Sequence, residues 1–452
     1  MSKRKNLAII TGLIILALVG CTNTAMAKPS RIESGEATTF FITTDIHYLA
    51  GDLIHDGDAF QQYLAAGDGK QLNYLDEILE AFIRDIEQKT PDVLIISGDL
   101  TNNGEKESHL ALARKLGRIE ESGTSVYVIP GNHDILNPWA LGFNENERYF
   151  VESINDKEFN KIYSDFGYTE AVSKDKHSLS YLATPSDDTW LLMLDTNKYK
   201  DNKMLGIPQT DGMIKEETFQ WIEKCSALAK ENGATIITVM HHNLLDHNEV
   251  MRSGFTIDNN RDVIERFSEY GLNLVLSGHI HIQDISSYEK VGSSNAPQKF
   301  FDIVTSSLAV YPQQYGVLDF SPEMNTFDYS TAFVDVEGWA REEGIYDKNL
   351  NEFKRYSYDF FADKAYDMAY TFLEEESTYD DRQKELMART FEQANVKYFA
   401  GTDNVDEGRS TSAGYNLWQE ASPSFMKRYI LSIYNDVDME DNSFQMKLES
   451  YD

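Results

Sequence analysis

The sequence predicts an α/β fold followed by a smaller helical C-terminal domain, and three observations predict it. Short apolar, β-rich runs recur between residues 40 and 304, and five of them end in Asp, Asn or His. Segments with apolar residues at helical spacing separate these runs. After about Asp335 the strand pattern stops, and acidic, aromatic segments of helical period take over.

Taken in order, residues 40–44 lead into Asp45-Ile46-His47, 93–97 into Gly98-Asp99, and 126–130 into Gly131-Asn132-His133-Asp134. Residues 235–240 lead into His241-His242, and 274–277 into Gly278-His279-Ile280-His281. Each run reads as a buried strand. In open α/β sheets, sites form beyond the carboxyl ends of strands, so these five ends can converge on one crevice. Residues 190–194 and 301–304 read as two more strands without such a terminus. The helical pattern covers 73–89, 105–122, 215–232 and 261–270, then 351–376, 381–395 and 424–435. The expected boundaries are an α/β domain over 37–335 and a helical domain over 336–452.

The N-terminus carries a separate message. Lys3, Arg4 and Lys5 precede an apolar stretch over residues 7–19, and Leu18-Val19-Gly20-Cys21 sets small residues before a cysteine. The stretch is shorter than the roughly 20 residues a spanning helix needs, so residues 1–20 read as a lipoprotein signal peptide. Cys21 is then the lipidated residue and 21–36 a tether, with membrane contact through the lipid alone. The alternative is a secreted protein cut after Ala25-Met26-Ala27. Cys225 is then the one cysteine left, which excludes an intramolecular disulfide.

The formal charge is −33, and it becomes −36 once Lys3, Arg4 and Lys5 leave with no acid among the first 20 residues. Such a surface repels nucleic-acid backbones, and no basic patch with interleaved aromatics offsets it. A polymeric DNA or RNA partner is therefore not expected. A small anionic substrate is compatible, because two divalent ions would outweigh the carboxylates of Asp45 and Asp99.

The residue types at the five strand ends suit metal chemistry. Imidazole and carboxylate accept Fe, Mn or Zn, and a carboxylate such as Asp99 can bridge two ions about 3.5–4 Å apart. Such a pair lowers the pKa of a shared water and neutralises phosphate oxygens, which favours phosphoester hydrolysis by a bridging hydroxide. Gly98, Gly131 and Gly278 let the backbone approach closely.

These five motifs, in this order, resemble those of the calcineurin-like metallophosphoesterases, over about residues 40–284. The resemblance implies a four-layer αββα sandwich and a site for two divalent or trivalent ions. Asp45, His47, Asp99 and His281 would hold one ion; Asp99, Asn132, His241 and His279 would hold the other. Asn132 and His133 would contact the phosphate, His133 would protonate the leaving alkoxide, and Asp134 would orient it. Within the family, the first motif, the lipoprotein signal and the helical extension look most like bacterial cyclic-nucleotide phosphodiesterases. The expected activity is hydrolysis of small phosphodiesters, such as 3′,5′- or 2′,3′-cyclic nucleotides. The alternatives are a phosphomonoesterase or nucleotidase of the same fold and, from another class, a surface binding or interaction lipoprotein; a two-lobed solute binder fits the pattern less well.

The other histidines divide. His109 and His177 read as surface or capping residues, His242 as a loop residue beside the ligand, and His55 and His247 as possible pocket residues. The insertion over 48–72 is expected to wall the site, with Tyr48, Phe60 and Tyr63 facing a base or forming the insertion's own small core. Tyr311 and Pro312 are a second candidate wall, and Asp195-Thr196-Asn197 reads as structural capping.

Overall fold

The computed structural model describes residues 31–291, 297–376, 378–403, 412–435 and 439–448. The expected signal peptide, Cys21 and the tether as far as residue 30 lie outside the described residues. The tether's last residues are fastened: Ile32 bridges to Ser186, and the Ser34 hydroxyl and Gly35 N–H both donate to Asp188.

The strands, numbered along the chain, are β1 (Thr38–Thr43), β2 (Val93–Ile96), β3 (Ser125–Val128), β4 (Leu141–Phe143), β5 (Arg148–Phe150), β6 (Ser173–Lys174), β7 (Tyr181–Ala183) and β8 (Thr189–Leu194). There follow β9 (Thr235–Met240), β10 (Leu274–Ser277), β11 (Asp284–Val291), β12 (Pro297–Val304), β13 (Gln314–Ser321), β14 (Thr326–Phe333) and β15 (Ser443–Lys447). They make a mixed sheet of order β15-β14-β13-β1-β2-β3, a second of order β11-β12-β10-β9-β8-β7-β6, and the separate β4-β5 hairpin. β1, β2 and β3 run parallel, as do β8, β9, β10 and β12. Their parallel course puts all five motif-bearing ends at one rim.

Alternation along the second sheet decides what each face touches. Leu191, Met193, Ile237, Val239 and Leu276 join Phe40, Ile42 and Ile95 of the first sheet in one buried core. Leu192, Leu194, Ile236 and Met240 point the other way, onto Phe219, Ile222, Val263 and Phe267 of the helices Glu216–Glu231 and Asn260–Tyr270. This is the period-two pattern of strands buried on both faces. The helix Leu75–Lys89 covers the first sheet, with Phe82 5.0 Å from the ring of Tyr315 on β13. Its apolar positions 75, 78, 79, 82, 83 and 86 form one helical stripe. Helix, sheet, sheet and helix thus give the four layers.

After Asp335 the chain is helical through the helices Phe353–Glu374, Asp381–Phe399 and Phe425–Asn435. Ala365, Ala369, Met387 and Phe391 bury Ile280 and Ile282, the apolar neighbours of the last motif histidine. One correction is needed to the expected all-helical end: β15 returns to the first sheet and pairs antiparallel with β14. Met446 faces inward while its neighbours stay exposed, too short an alternation to stand out in sequence.

Candidate metal centre and active site

Each candidate ligand lies within four residues of a strand end. The loops after β1 and β2 stay paired beyond the strands, through Asp45 N–H to Gly98 C=O and His47 N–H to Asp99 C=O. This holds the two carboxylates side by side. Asp45, His47 and His281 bring ligand atoms within 4.8 Å of one another, and Asp99, His241 and His279 do the same. His47 Nε2 and His281 Nε2 are 3.0 Å apart, and Asp45 Oδ1 is 3.3 Å from His281 Nε2. In the second group, His241 Nε2 is 3.0 Å from Asn132 Oδ1 and 3.4 Å from Asp99 Oδ2. That same Asp99 oxygen is 3.8 Å from His47 Nε2, so one carboxylate stands between the groups.

The backbone is bent to make this possible. Asp45, His47, Asp99, His279 and His281 all have φ between 47° and 71°, a left-handed conformation that side chains rarely adopt. Each such residue costs on the order of 1–3 kcal/mol and persists only where the surroundings dictate it. The surroundings do: a Cβ on Gly131 would lie 2.1 Å from Asp99 Oδ1, and one on Gly278 would lie 2.1 Å from Thr44 Oγ1. His241 Nδ1–H donates to Ser97 C=O at 2.9 Å, and His279 Nε2–H donates to Gly254 C=O at 2.6 Å. These bonds fix both rings and free the opposite nitrogens, as ligand histidines require. Asp45 Oδ1, fully buried, makes no hydrogen bond of ordinary geometry. Lone pairs converging on buried space, with backbone closed onto the carboxylates, fit a pair of metal ions.

The description "Calcineurin-like phosphoesterase" matches residues 38–283, over half of the chain. The chain belongs to this family. A second family description, "C-terminal domain of cyclic nucleotide phosphodiesterase", matches residues 335–440 of this phosphoesterase. A protein of Xenorhabdus bovienii named as a probable cyclic nucleotide phosphodiesterase is 20% identical over 237 residues, which is 52% of this chain and 80% of that protein. Among solved structures, a dimetal phosphatase from Danio rerio aligns with TM-score 0.44 and 11% identity, over 65% of this chain and 95% of that one. A Staphylococcus aureus structure described as a putative 5′-nucleotidase aligns with TM-score 0.35 and 12% identity, over 63% and 51%.

His133 lies on the rim of this phosphoesterase's crevice, its ring 5.1 Å from that of His47. Its Nδ1–H donates to Asn102 C=O at 2.8 Å and to Asn103 Oδ1 at 3.0 Å, which frees Nε2. The expectation that Asp134 orients this imidazole is therefore corrected. Asp134 instead accepts from the N–H groups of Leu100, Thr101 and Gly131 and from the Thr101 hydroxyl, tying the loops after β2 and β3 together. Burial and the nearby charge of Asp99 push the Asp134 carboxyl up. The Asn102-Asn103 pair, two residues beyond the Gly98-Asp99 motif, was the available sequence signal for what holds His133.

The remaining histidines take other places. His242 uses both nitrogens on Thr196 Oγ1, 2.7 Å, and Thr210 C=O, 3.0 Å, which leaves His241 as the one facing the cluster. His109, expected in a surface or capping role, is fully buried. It touches the Tyr163 hydroxyl and Asp134 C=O, and burial lowers its pKa to about 3. His247 does not line the crevice but is buried between Asp284 at the start of β11 and Asp302 on β12. His55 and His177 are exposed. Asp195 caps its own turn by accepting from Leu179 and Asn197 N–H groups.

The insertion does form a wall. Within it, Tyr48 donates to Asp76 and is buried, and Phe60 packs on Phe143 at 5.3 Å, so both are internal core. Tyr63 lines a cavity beside His133 and accepts hydrogen bonds from the side chains of Asn102 and Asn103. Tyr311 stacks on Phe361 of a C-terminal helix. A second cavity of about 720 Å³ opens far from the motifs, between the helix Glu216–Glu231 and β15.

Proposed function

We propose that this phosphoesterase is a two-metal phosphodiesterase that hydrolyses small phosphodiesters, with cyclic nucleotides as its substrates. One observation carries the reading: Asp99 Oδ2 stands 3.4 Å from His241 Nε2 and 3.8 Å from His47 Nε2, between two groups of ligand atoms. Asp45, His47, Asp99 and His281 would hold one ion, and Asp99, Asn132, His241 and His279 the other, as Fe, Mn or Zn. Bound ions supply an activated water and neutralise phosphate oxygens. His133 presents its free Nε2 to the leaving oxygen and delivers the proton, while Asn102 and Asn103 fix the ring. Asn132 meets the phosphate alongside its metal role. Support for a cyclic diester comes from the C-terminal match over 335–440 and from the Xenorhabdus relative.

The reading includes a lipid anchor at Cys21 outside the cytoplasm, a catalytic domain over 37–335 and a helical domain over 336–452 that braces the last motif. The test is hydrolysis of bis(p-nitrophenyl) phosphate, p-nitrophenyl phosphate, and 3′,5′- and 2′,3′-cyclic AMP by purified protein with added Mn. Diester and cyclic-nucleotide turnover that a chelator abolishes is the expected result. Turnover of the monoester alone would make the protein a phosphomonoesterase.

A further inference from the structure

A cavity of about 700 Å³ opens beside His133, between the helix Asp58–Ala66 and the β4-β5 hairpin. That volume lies within the usual range for small-molecule sites, about 300–1,000 Å³. At its rim, Trp139 and Phe150 are 46% and 78% exposed. The indole of Trp139 is fixed by its Nε1–H, which donates to Gly206 C=O at 3.2 Å. Large rings left in water at a cavity mouth present π faces on which a nucleobase can stack.

Deeper in, Lys70 pairs with Asp68 at 3.3 Å while its own side chain is only 12% exposed. It lines this cavity together with His133, Asn102 and Asn103. On a chain of formal charge −33, a cation set this far into the active-site crevice is a local exception that favours an anion. Aromatic rim, cation and His133 therefore line one space, matching the base, the phosphate and the leaving oxygen of a single ligand.

We propose that this cavity seats the nucleoside part of a mononucleotide diester, with the base on Trp139 and Phe150 and a non-bridging phosphate oxygen on Lys70. The assignment rests on the phosphodiesterase reading for its chemistry but not for its test. A nucleoside 5′-monophosphate keeps both the base and the anion but has no diester bond, so it probes the cavity independently of diester hydrolysis.

Calorimetric titration of the full chain with adenosine 5′-monophosphate and with adenosine tests it. Trp139→Ala and Phe150→Ala should each weaken both ligands about tenfold, whereas Trp139→Phe, which keeps a ring, should stay within about threefold of wild type. Lys70→Met should weaken the nucleotide about tenfold and adenosine less than twofold. Thermal unfolding establishes that each variant folds. Absence of nucleotide binding to the wild type, or affinities unmoved by the ring variants or by Lys70→Met, would overturn the assignment even if diesters are hydrolysed. If the wild type hydrolyses no diester with Mn, Fe or Zn while the binding pattern appears, the phosphodiesterase reading fails and the nucleotide site stands.

Discussion

The floor of the crevice and its wall are built in different ways. Every floor ligand sits within four residues of a buried strand, so short stretches of ladder hydrogen bonding aim Asp45, Asp99, Asn132, His241 and His279 at common ground. The wall comes from the helix Asp58–Ala66 and the β4-β5 hairpin, brought together by Phe60 and Tyr63 packing on Phe143, about 80 residues away in the chain. A floor fixed by local geometry tolerates little change, whereas a wall fixed by side-chain packing can vary with the ligand it admits. On the proposed function, the floor would perform hydrolysis and the wall would select the molecule hydrolysed.

The largest expected effect breaks the floor at its shared point. Asp99→Ala should lower kcat/KM for a diester about 10⁴-fold, as when a group that the rest of the machinery acts through is lost. Metal analysis should show fewer ions bound, and near-normal turnover would remove Asp99 from the site. His133→Ala, at the join of floor and wall, should keep metal while lowering kcat about 10²–10⁴-fold, most for poor leaving groups. An equal loss across leaving groups would argue against proton delivery.

Next comes what the floor stands on. Burial disfavours the charge on His247, but Asp302 and Asp284 outweigh it and raise the imidazole to about 10. Because the folded value exceeds the ordinary 6.5, this stabilisation is complete below about pH 6.5 and fades as pH climbs toward 10. His247→Gln should cost about 3–5 kcal/mol at pH 6, since two buried carboxylates lose their partner, and less at pH 9. Denaturant unfolding at both values checks the sign, and a gap that widens with pH would contradict it. The smallest effect is Gly278→Ala, whose Cβ would meet Thr44 Oγ1 at 2.1 Å. Overpacking of this kind costs about 1–3 kcal/mol, read as a lower Tm together with weaker metal binding. A matched substitution at an open glycine such as Gly117 should do neither.

The same contrast explains what could be read from sequence. The floor was legible because Asp45, Asp99 and His241 follow apolar runs whose strand character is local, and the glycines at 98, 131 and 278 mark close approach. Even the choice of His241 over His242 followed from strand register, since His242 turns away onto Thr196 and Thr210. The wall was legible only as an insertion. Nothing near Lys70, Trp139 or Phe150 announces that they share a cavity, because a hairpin and a helix distant in sequence create it. His109 was misread, and His247 was left open, for a related reason: their partners Tyr163, Asp284 and Asp302 lie 37 to 55 residues away. A buried imidazole satisfied by such partners has no local signature. β15 was missed because five residues with one buried side chain look like a tail.

On the proposed function, Asp99 joins two metal sites in one crevice. Titration of metal-free protein with Mn, read as ions bound per chain by calorimetry and elemental analysis, tests it most directly. Two ions per chain in the wild type, falling in Asp99→Ala, is the predicted result. One ion or none in the wild type, or two ions retained by Asp99→Ala, would contradict it.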